Sequence, residues 1–313
     1  MLNKSTISIA ILSALIGLSA CTENSSKDAS IESVDTESPK TQMSEQDNGV
    51  VSVDTTALSA AVNSRSEDEK ARDEARHPVE TLSFFRVAPG MSVAEALPGG
   101  GWYSKILATY LGEKGQLHGI NYNEDMWPMF GFFSEEAMQS MIARTAKFPE
   151  MISEFGEKMP SASGFTFASA PQELFGTVDR VLFVRALHNL NRFEGEAGTM
   201  TQALKTAHQL LKEDGLVGVV QHESPEANSD EWANGGAGYL KKSQVIKAFT
   251  DAGFELVDES NINANAKDLP SEKDIVWRLP PSYNGTADDP ELKAAVDAIG
   301  ESNRMTLLFK KVG

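Results

Sequence analysis

Cysteine is almost absent from this chain: Cys21 stands alone among 313 residues. A single thiol cannot close a disulfide within the molecule. Positive charge is scarce as well. Against 45 Asp and Glu there are 28 Lys and Arg, a net charge of −17. Residues 22–70 hold eleven acids and four bases, and the rest of the chain is acidic too. Such a chain lacks the phosphate-neutralising surface that DNA or RNA binding needs, which argues against nucleic acid as a partner. The apolar run near the start, Ile7–Leu18, is too short to span a bilayer. Aromatic residues are missing from residues 22–66, and no internal repeat is present.

What stands at the start reads as an export signal. Lys4 gives a small positive region ahead of the apolar core. The core ends in Leu18-Ser-Ala-Cys21, which resembles the lipobox of bacterial lipoproteins. That resemblance implies a signal peptide over 1–21 and a lipid on Cys21 that attaches the protein to a membrane, since several acyl chains on one residue anchor stably. Thr22 at the following position implies sorting to the outer membrane, facing the periplasm. Residues 22–66, rich in Ser, Thr, Asp and Glu, cannot bury enough apolar surface to offset ordering entropy and read as a disordered tether. Residues 67–313 are enough for one α/β domain with a full core.

Within that domain strand and helix patterns alternate. A leading helical segment covers Asp68–Phe85, with His77-Pro78 as an internal boundary. Strands are expected at Ser92–Ala96, Gln116–Tyr122, Gly164–Ala168, Val178–Val184, Leu216–His222, Phe254–Ser260 and Met305–Lys310. Helices are expected at Trp102–Leu111, Glu196–Leu211 and Lys242–Ala252, the last closed by Gly253. Repeated β–α units imply a mostly parallel sheet covered on both faces. Residues 126–159, rich in Met and Phe, read as an inserted helix with a buried apolar face, or as the lining of an apolar acceptor pocket. Asn261–Asn303 is a long polar insertion before the last strand.

The densest local signal is Glu95-Ala-Leu-Pro-Gly-Gly-Gly-Trp102, a glycine turn between the first strand and its helix. Gly99, Gly100 and Gly101 remove Cβ atoms where a backbone must approach a ligand, and the helix start offers free N–H groups to polar ligand atoms. In open α/β sheets ligands lie at the carboxyl ends of strands. His188 and His222, which follow the fourth and fifth strands, are therefore candidates to face an acceptor, one of them as general base, with Arg185 and Glu223 beside them. Their spacing matches no compact metal-ligand motif, so no metal is expected.

From about residue 70 to the end the chain resembles the class I S-adenosylmethionine-dependent methyltransferases. The likeness rests on Val93-x-Glu95-x-x-x-Gly99-x-Gly101, Gly115-x-Leu-x-Gly-Ile-Asn121, Val178-Asp-Arg-Val-Leu-Phe, Leu210-Leu-Lys-Glu-Asp-Gly-Leu-Val-Gly-Val-Val and Ala252-Gly-Phe-Glu-Leu-Val. Arg76-His-Pro-x-Glu-Thr-Leu-Ser-Phe-Phe, with Pro-Gly-Gly-Gly-Trp-Tyr, resembles a group of predicted exported bacterial methyltransferases. The resemblance implies a Rossmann-like seven-stranded sheet, mostly parallel with a last antiparallel strand, and helices on both faces. It implies S-adenosylmethionine as cofactor, a small-molecule acceptor and in-line methyl transfer. No protein partner is evident.

The same likeness assigns Glu95 to the amino-acid end of the cofactor and Pro98 and Gly99–Gly101 to its close passage. It assigns Asn121 and Tyr122 to ribose and adenine, Ser169 and Ala170 to the adenine edge, and Arg185 to the cofactor's surroundings. Two positions depart from the family pattern. Leu97 stands where a glycine is usual, and Asn121 where an acid grips the ribose diol. Both departures keep open a second reading, a methyltransferase-fold binding protein that has lost transfer. A dinucleotide oxidoreductase fits less well, because Gly99-x-Gly101-x-x-Ser104 lacks the final small residue of that fingerprint.

Overall fold

The computed structural model describes residues 52–312. The export core, Cys21 and the tether as far as residue 51 lie outside the described residues. The strands are β1 (Ser92–Ala96), β2 (Gln116–Asn121), β3 (Ser161–Thr166), β4 (Val178–Val184), β5 (Leu211–Ser224), β6 (Leu240–Lys241), β7 (Phe254–Ser260) and β8 (Arg304–Lys311). They order as β3-β2-β1-β4-β5-β8-β7, with β6 a short addition to β5. Pairings from β3 through β5 are parallel; β8 runs antiparallel to both β5 and β7. This is the expected Rossmann-like methyltransferase sheet with its reversed last strand.

Alternation along the central strands builds two cores. Ala94, Phe183, Val219 and Leu307 face one layer, where α7 (Thr199–Leu210) and α8 (Lys242–Asp251) pack. Val93, Leu117, Leu182 and Leu308 face the other, beneath α1 (Thr55–Asn63), α2 (Pro78–Phe84) and α3 (Trp102–Leu111). Gly198, with φ of 62°, ends a single turn at Glu194–Ala197 and opens α7, so the expected helix over 196–211 is broken. The third strand begins at Ser161 rather than at Gly164.

The insertion between β2 and β3 forms a single turn at Met126–Met129, then α4 (Glu135–Ala146) and α5 (Phe148–Ser153). Two glycines set how close its corner comes to the sheet. A Cβ on Gly119 would lie 2.6 Å from the Phe148 ring, and one on Gly164 would lie 1.9 Å from the Thr145 carbonyl oxygen. No ordinary side chain fits either place, so Thr145–Phe148 is pressed onto the ends of β2 and β3. After β4 comes α6 (Leu187–Arg192), and α9 (Pro290–Ile299) lies in the polar insertion before β8.

Among the described residues, part of the segment expected as a tether, 22–66, is helical. Asp54 caps α1 by accepting from the Ala57 N–H at 2.9 Å. Leu58, Ala61 and Val62 then fall on one face and are buried against α2 and α3. Three apolar positions at helical spacing suffice for docking even in a polar stretch. Leu58, fully buried, is expected to lose about 2–5 kcal/mol of stability on truncation to Ala. Chemical denaturation of Leu58→Ala checks this, and a loss under about 1 kcal/mol would show that α1 is not part of the folded domain.

Candidate functional site

The centre of the sheet opens where its two middle strands part. β1 and β4 stay in register as far as Ala96 and Phe183. The next ladder bonds run away from each other. Leu97 donates its N–H to the Ile120 carbonyl at 2.7 Å, and Arg185 donates its own to Val220 at 2.6 Å. Leu97 (φ 56°) and Arg185 (φ 57°) are both left-handed, a conformation that costs an ordinary residue roughly 1–2 kcal/mol. Strain held at the carboxyl ends of adjacent central strands, where the connections leave in opposite directions, marks a binding crevice.

The glycine turn forms one wall of it. Gly99 and Gly101 have φ of 59° and 80°, and Gly101 serves as the N-cap of α3 with no side chain satisfying the first-turn N–H groups. Gly100 is different: it has no left-handed backbone, and a Cβ there would meet nothing within 4 Å. Its exposed face looks onto a cleft of about 440 Å³. Leu97, Pro98 and Gly99 line that cleft from the loop, Asn121 and Tyr122 from the end of β2, and Arg185 from the end of β4. Gly101 does not itself line the cleft; a Cβ there would meet Met151, which does, at 3.1 Å and Phe155 at 3.3 Å.

The opposite wall comes from the insertion. Trp127, Met141, Arg144, Thr145 and Phe148 all reach the cleft. The Met- and Phe-rich segment thus both buries an apolar face and lines the site. Arg144 and Thr145 carried no signal as site residues in the sequence. Their nearest clue was Gly119 and Gly164 on neighbouring strands, which admit the insertion's corner. Thr145 also engages Asn121, whose amide donates to the Thr145 hydroxyl at 3.1 Å and accepts from the Tyr122 N–H at 2.9 Å.

Three expected residues stand elsewhere. Glu95 shares the face of Val93, so its side chain runs under α3 and outside the cleft lining. Its carboxylate accepts from the Ser104 hydroxyl at 2.6 Å. Burial pushes its pKa up to about 7, with the Ser104 bond opposing. Ser169 folds back on Thr166, accepting its N–H at 2.9 Å, and Ala170 packs against the core. Neither lines the cleft, because β3 ends at Thr166 and the turn after it points away.

The two histidines lie beyond Arg185. His188 is buried with its Nδ1 3.3 Å from the Gln221 amide oxygen and lines none of the cavities described here. Burial pushes its pKa down to about 4. His222 sits 5.5 Å away, ring to ring, with Nδ1 at 2.6 Å from the Ser302 hydroxyl. Burial, reinforced by His188 and Arg185, holds it well below the ordinary histidine range. Both imidazoles are therefore neutral at pH 7. His222 borders a recess of about 140 Å³ that shares Arg185 with the cleft. Glu223 lies 3.8 Å from Lys242 and lines neither cavity. Among the described residues no cluster of three or more His, Cys, Asp or Glu could hold a metal.

No family model matches the chain, and no curated protein matches it closely. Solved structures match remotely. A SAM-dependent methyltransferase from Aquifex aeolicus is 16% identical, with 67% of this chain and 93% of that one covered and a TM-score of 0.41. Geranyl diphosphate C-methyltransferase from Streptomyces coelicolor A3(2) is 12% identical, covering 83% and 86%, with a TM-score of 0.47. An arsenic(III) S-adenosylmethionine methyltransferase from Chlamydomonas reinhardtii is 12% identical, covering 82% and 73%, with a TM-score of 0.42. Likeness this remote says nothing of chemistry; the fold stands on its own strand order and reversed β8.

Glu95 gives the fold a pH signature. Between pH 4.5 and 7 the folded protein keeps a proton on Glu95 that the unfolded chain has released. Stability therefore falls as pH rises through that window, by about 3 kcal/mol in all. His118 and His188, both pushed down to about 4 by burial, act with the opposite sign between pH 4 and 6.5. The difference between wild type and Glu95→Gln isolates the carboxyl. In urea unfolding at stepped pH, the variant is expected to gain about 3 kcal/mol on wild type from pH 4.5 to 7.5. A gap that does not move with pH would place Glu95 in an ordinary solvated setting.

Proposed function

We propose that the chain binds S-adenosylmethionine in the cleft beside the glycine turn and transfers its methyl group to a small-molecule acceptor. The observation that carries this reading is the bare face of Gly100, set between the uncapped start of α3 and the Asn121 amide. The groups present suit the cofactor. The cleft's volume, about 440 Å³, is that of a small-molecule site, for which about 300–1,000 Å³ is usual. The first-turn N–H groups of α3 suit a carboxylate, the Asn121 amide suits a diol, and the Tyr122 ring suits an aromatic base. The cofactor, when bound, supplies an electrophilic methyl group on a sulfonium.

Displacement at such a carbon demands alignment above all, so the loop and the end of β2 contribute chiefly by orientation. Where an acceptor must lose a proton, His222 is the base we assign. It is neutral, it borders the recess adjoining the cleft, and its Nδ1 is held by Ser302. His188 faces no cavity and is a packing partner of His222 rather than a catalytic residue. We further propose that the export segment and Cys21 tether this domain to the outer membrane from the periplasmic side. The cofactor would then have to be delivered across the inner membrane.

A second reading has one observation in its favour. The Asn121 amide is already engaged by Thr145 and Tyr122, and it is uncharged. That favours a binding protein that holds a small ligand in the cleft without transfer. The appearance of S-adenosylhomocysteine during incubation with cofactor and candidate acceptors separates the two.

Calorimetric titration of S-adenosylmethionine and S-adenosylhomocysteine tests the site itself. Gly100→Asp should fold with an unchanged melting temperature, since position 100 has ordinary backbone and open space, yet lose cofactor binding. Unchanged affinity in a folded variant would remove the glycine turn from the site. Asn121→Asp keeps an acceptor for the Tyr122 N–H and lets the Thr145 hydroxyl donate instead. It is expected to tighten cofactor binding about tenfold, because bonds to a charged acceptor are the stronger. Weaker binding would show that residue 121 does not meet the ribose.

A further inference from the structure

The interior beyond the cleft holds a surplus of positive charge that no side chain neutralises. Arg72, Arg76, Arg185 and Arg304 come together near the carboxyl ends of β4 and β5, and Glu301 is the one carboxylate that pairs within the group. Glu301 accepts from Arg72 at 2.6 Å and lies 3.4 Å from Arg304. Arg76 stacks on Trp102 at 4.3 Å, and Arg304 donates to the Ala75 carbonyl at 2.5 Å. Arg185 is left over. Among the described residues its guanidinium makes no hydrogen bond or ion pair, and its Nε is buried without a partner. A half-buried, unpaired cation is costly, and so is the unmet hydrogen-bonding capacity of its buried Nε. The one carboxylate at the recess, Glu301, is taken up by Arg72 and Arg304 and forms no ion pair with Arg185.

The cavities show what this arrangement faces. Arg185 lines both the cleft and the 140 Å³ recess, which it shares with Arg72, His222, Trp277, Ser302 and Glu301; with Glu301 held by Arg72, the recess keeps one uncompensated cation, Arg185. Trp277 lines the recess and also an aromatic chamber of about 470 Å³ with Tyr122, Trp127 and Phe130. Tyr122 and Trp127 in turn line the cleft. The three spaces thus share walls: an open cleft, an aromatic chamber and a small recess with Arg185 in its wall. A guanidinium fork binds planar oxyanions in a bidentate manner, which suits a recess of this size and charge.

We propose that the small molecule this domain acts on, or holds, is an aromatic or apolar oxyanion. Its carboxylate or phosphate enters the Arg72–Arg185 recess, and its apolar body occupies the chamber walled by Tyr122, Trp127 and Trp277. The proposal gives the acceptor of the reading above its chemical class and rests on that reading only for the transfer step.

The test uses three probes on the intact protein without cofactor: 1-naphthoate, 1-naphthyl phosphate and the neutral 1-naphthalenemethanol, each followed by calorimetry. At least one anion is expected to bind about tenfold or more tighter than the alcohol, with an affinity that falls as salt is raised. The stronger of the two anions identifies the oxyanion. Arg72→Gln and Arg185→Gln, each checked for a retained melting transition, are expected to abolish that preference while leaving alcohol binding in place. Equal binding of alcohol and anions to wild type, binding of none of the three, or a preference that survives both substitutions would overturn the proposal. Should Arg185→Gln fail to fold, Arg72→Gln and the wild-type comparison decide alone. Anion preference without S-adenosylmethionine affinity would refute the cofactor reading and keep the recess. The reverse result would refute the recess and keep the cofactor.

Discussion

Two backbone hydrogen bonds shape this domain's centre. Leu97 turns its N–H to β2 and Arg185 turns its own to β5, and the crevice is the gap between them. Everything that lines the cleft from the sheet is placed by that divergence. The glycine turn descends from β1 into α3 on one face; the chain after β4 leaves through α6 on the other. Because the strands stay paired up to Ala96 and Phe183, the gap opens abruptly and its floor is rigid. The left-handed strain at both exits is borne by a sheet whose middle is buried on both sides. Such strain persists only where the surroundings over-determine the backbone.

The segment before the sheet ties the glycine turn to the cationic recess. Trp102, the first residue of α3, donates its indole N–H to the Glu69 carbonyl at 2.9 Å and lies between the guanidinium groups of Arg65 and Arg76. Lys105, one turn on, pairs with Glu69 at 2.6 Å. The same stretch of chain supplies Arg72 to the recess. A shift of this clasp would therefore move the start of α3 and the recess together. That coupling is mechanical and local, carried by a few named contacts between residues 65–76 and 102–105.

Much of this was legible in the sequence, and the failures have physical causes. Trp102–Leu111 emerges with its expected ends because a glycine turn precedes it and Gly112 follows. β1, β4 and β7 also keep their expected bounds, each being a compact apolar or alternating run between turn signals. Leu97 was conspicuous as the residue in a glycine's place, and its φ of 56° shows that the turn kept the backbone a glycine would adopt. Nothing in the letters around Arg185 announces the same geometry, since that strain is imposed by β5 and not by local composition. Ser169 and Ala170 were misplaced because β3 has weak alternation and began three residues earlier than its Phe-Thr-Phe run implied. The motif position of Glu95 points to the cofactor's amino-acid end. Strand alternation, counted from Val93, already puts it on the opposite side, under α3.

The electrostatics of the recess set which ligands a chain this acidic can take up. With a net charge of −17, the protein as a whole repels anions at long range. That repulsion is screened beyond roughly 8–10 Å at physiological salt. Attraction by Arg72 and Arg185 acts at shorter distance and in a partly desolvated setting, where Coulomb energies are several times those in water. A compact anion with an apolar body gains from both the recess and the chamber. A polyanion such as a nucleic acid meets the acidic exterior along its whole length and gains from one recess at most. The placement of an unpaired Arg185 at a small recess in an otherwise acidic chain thus selects by size as well as by sign.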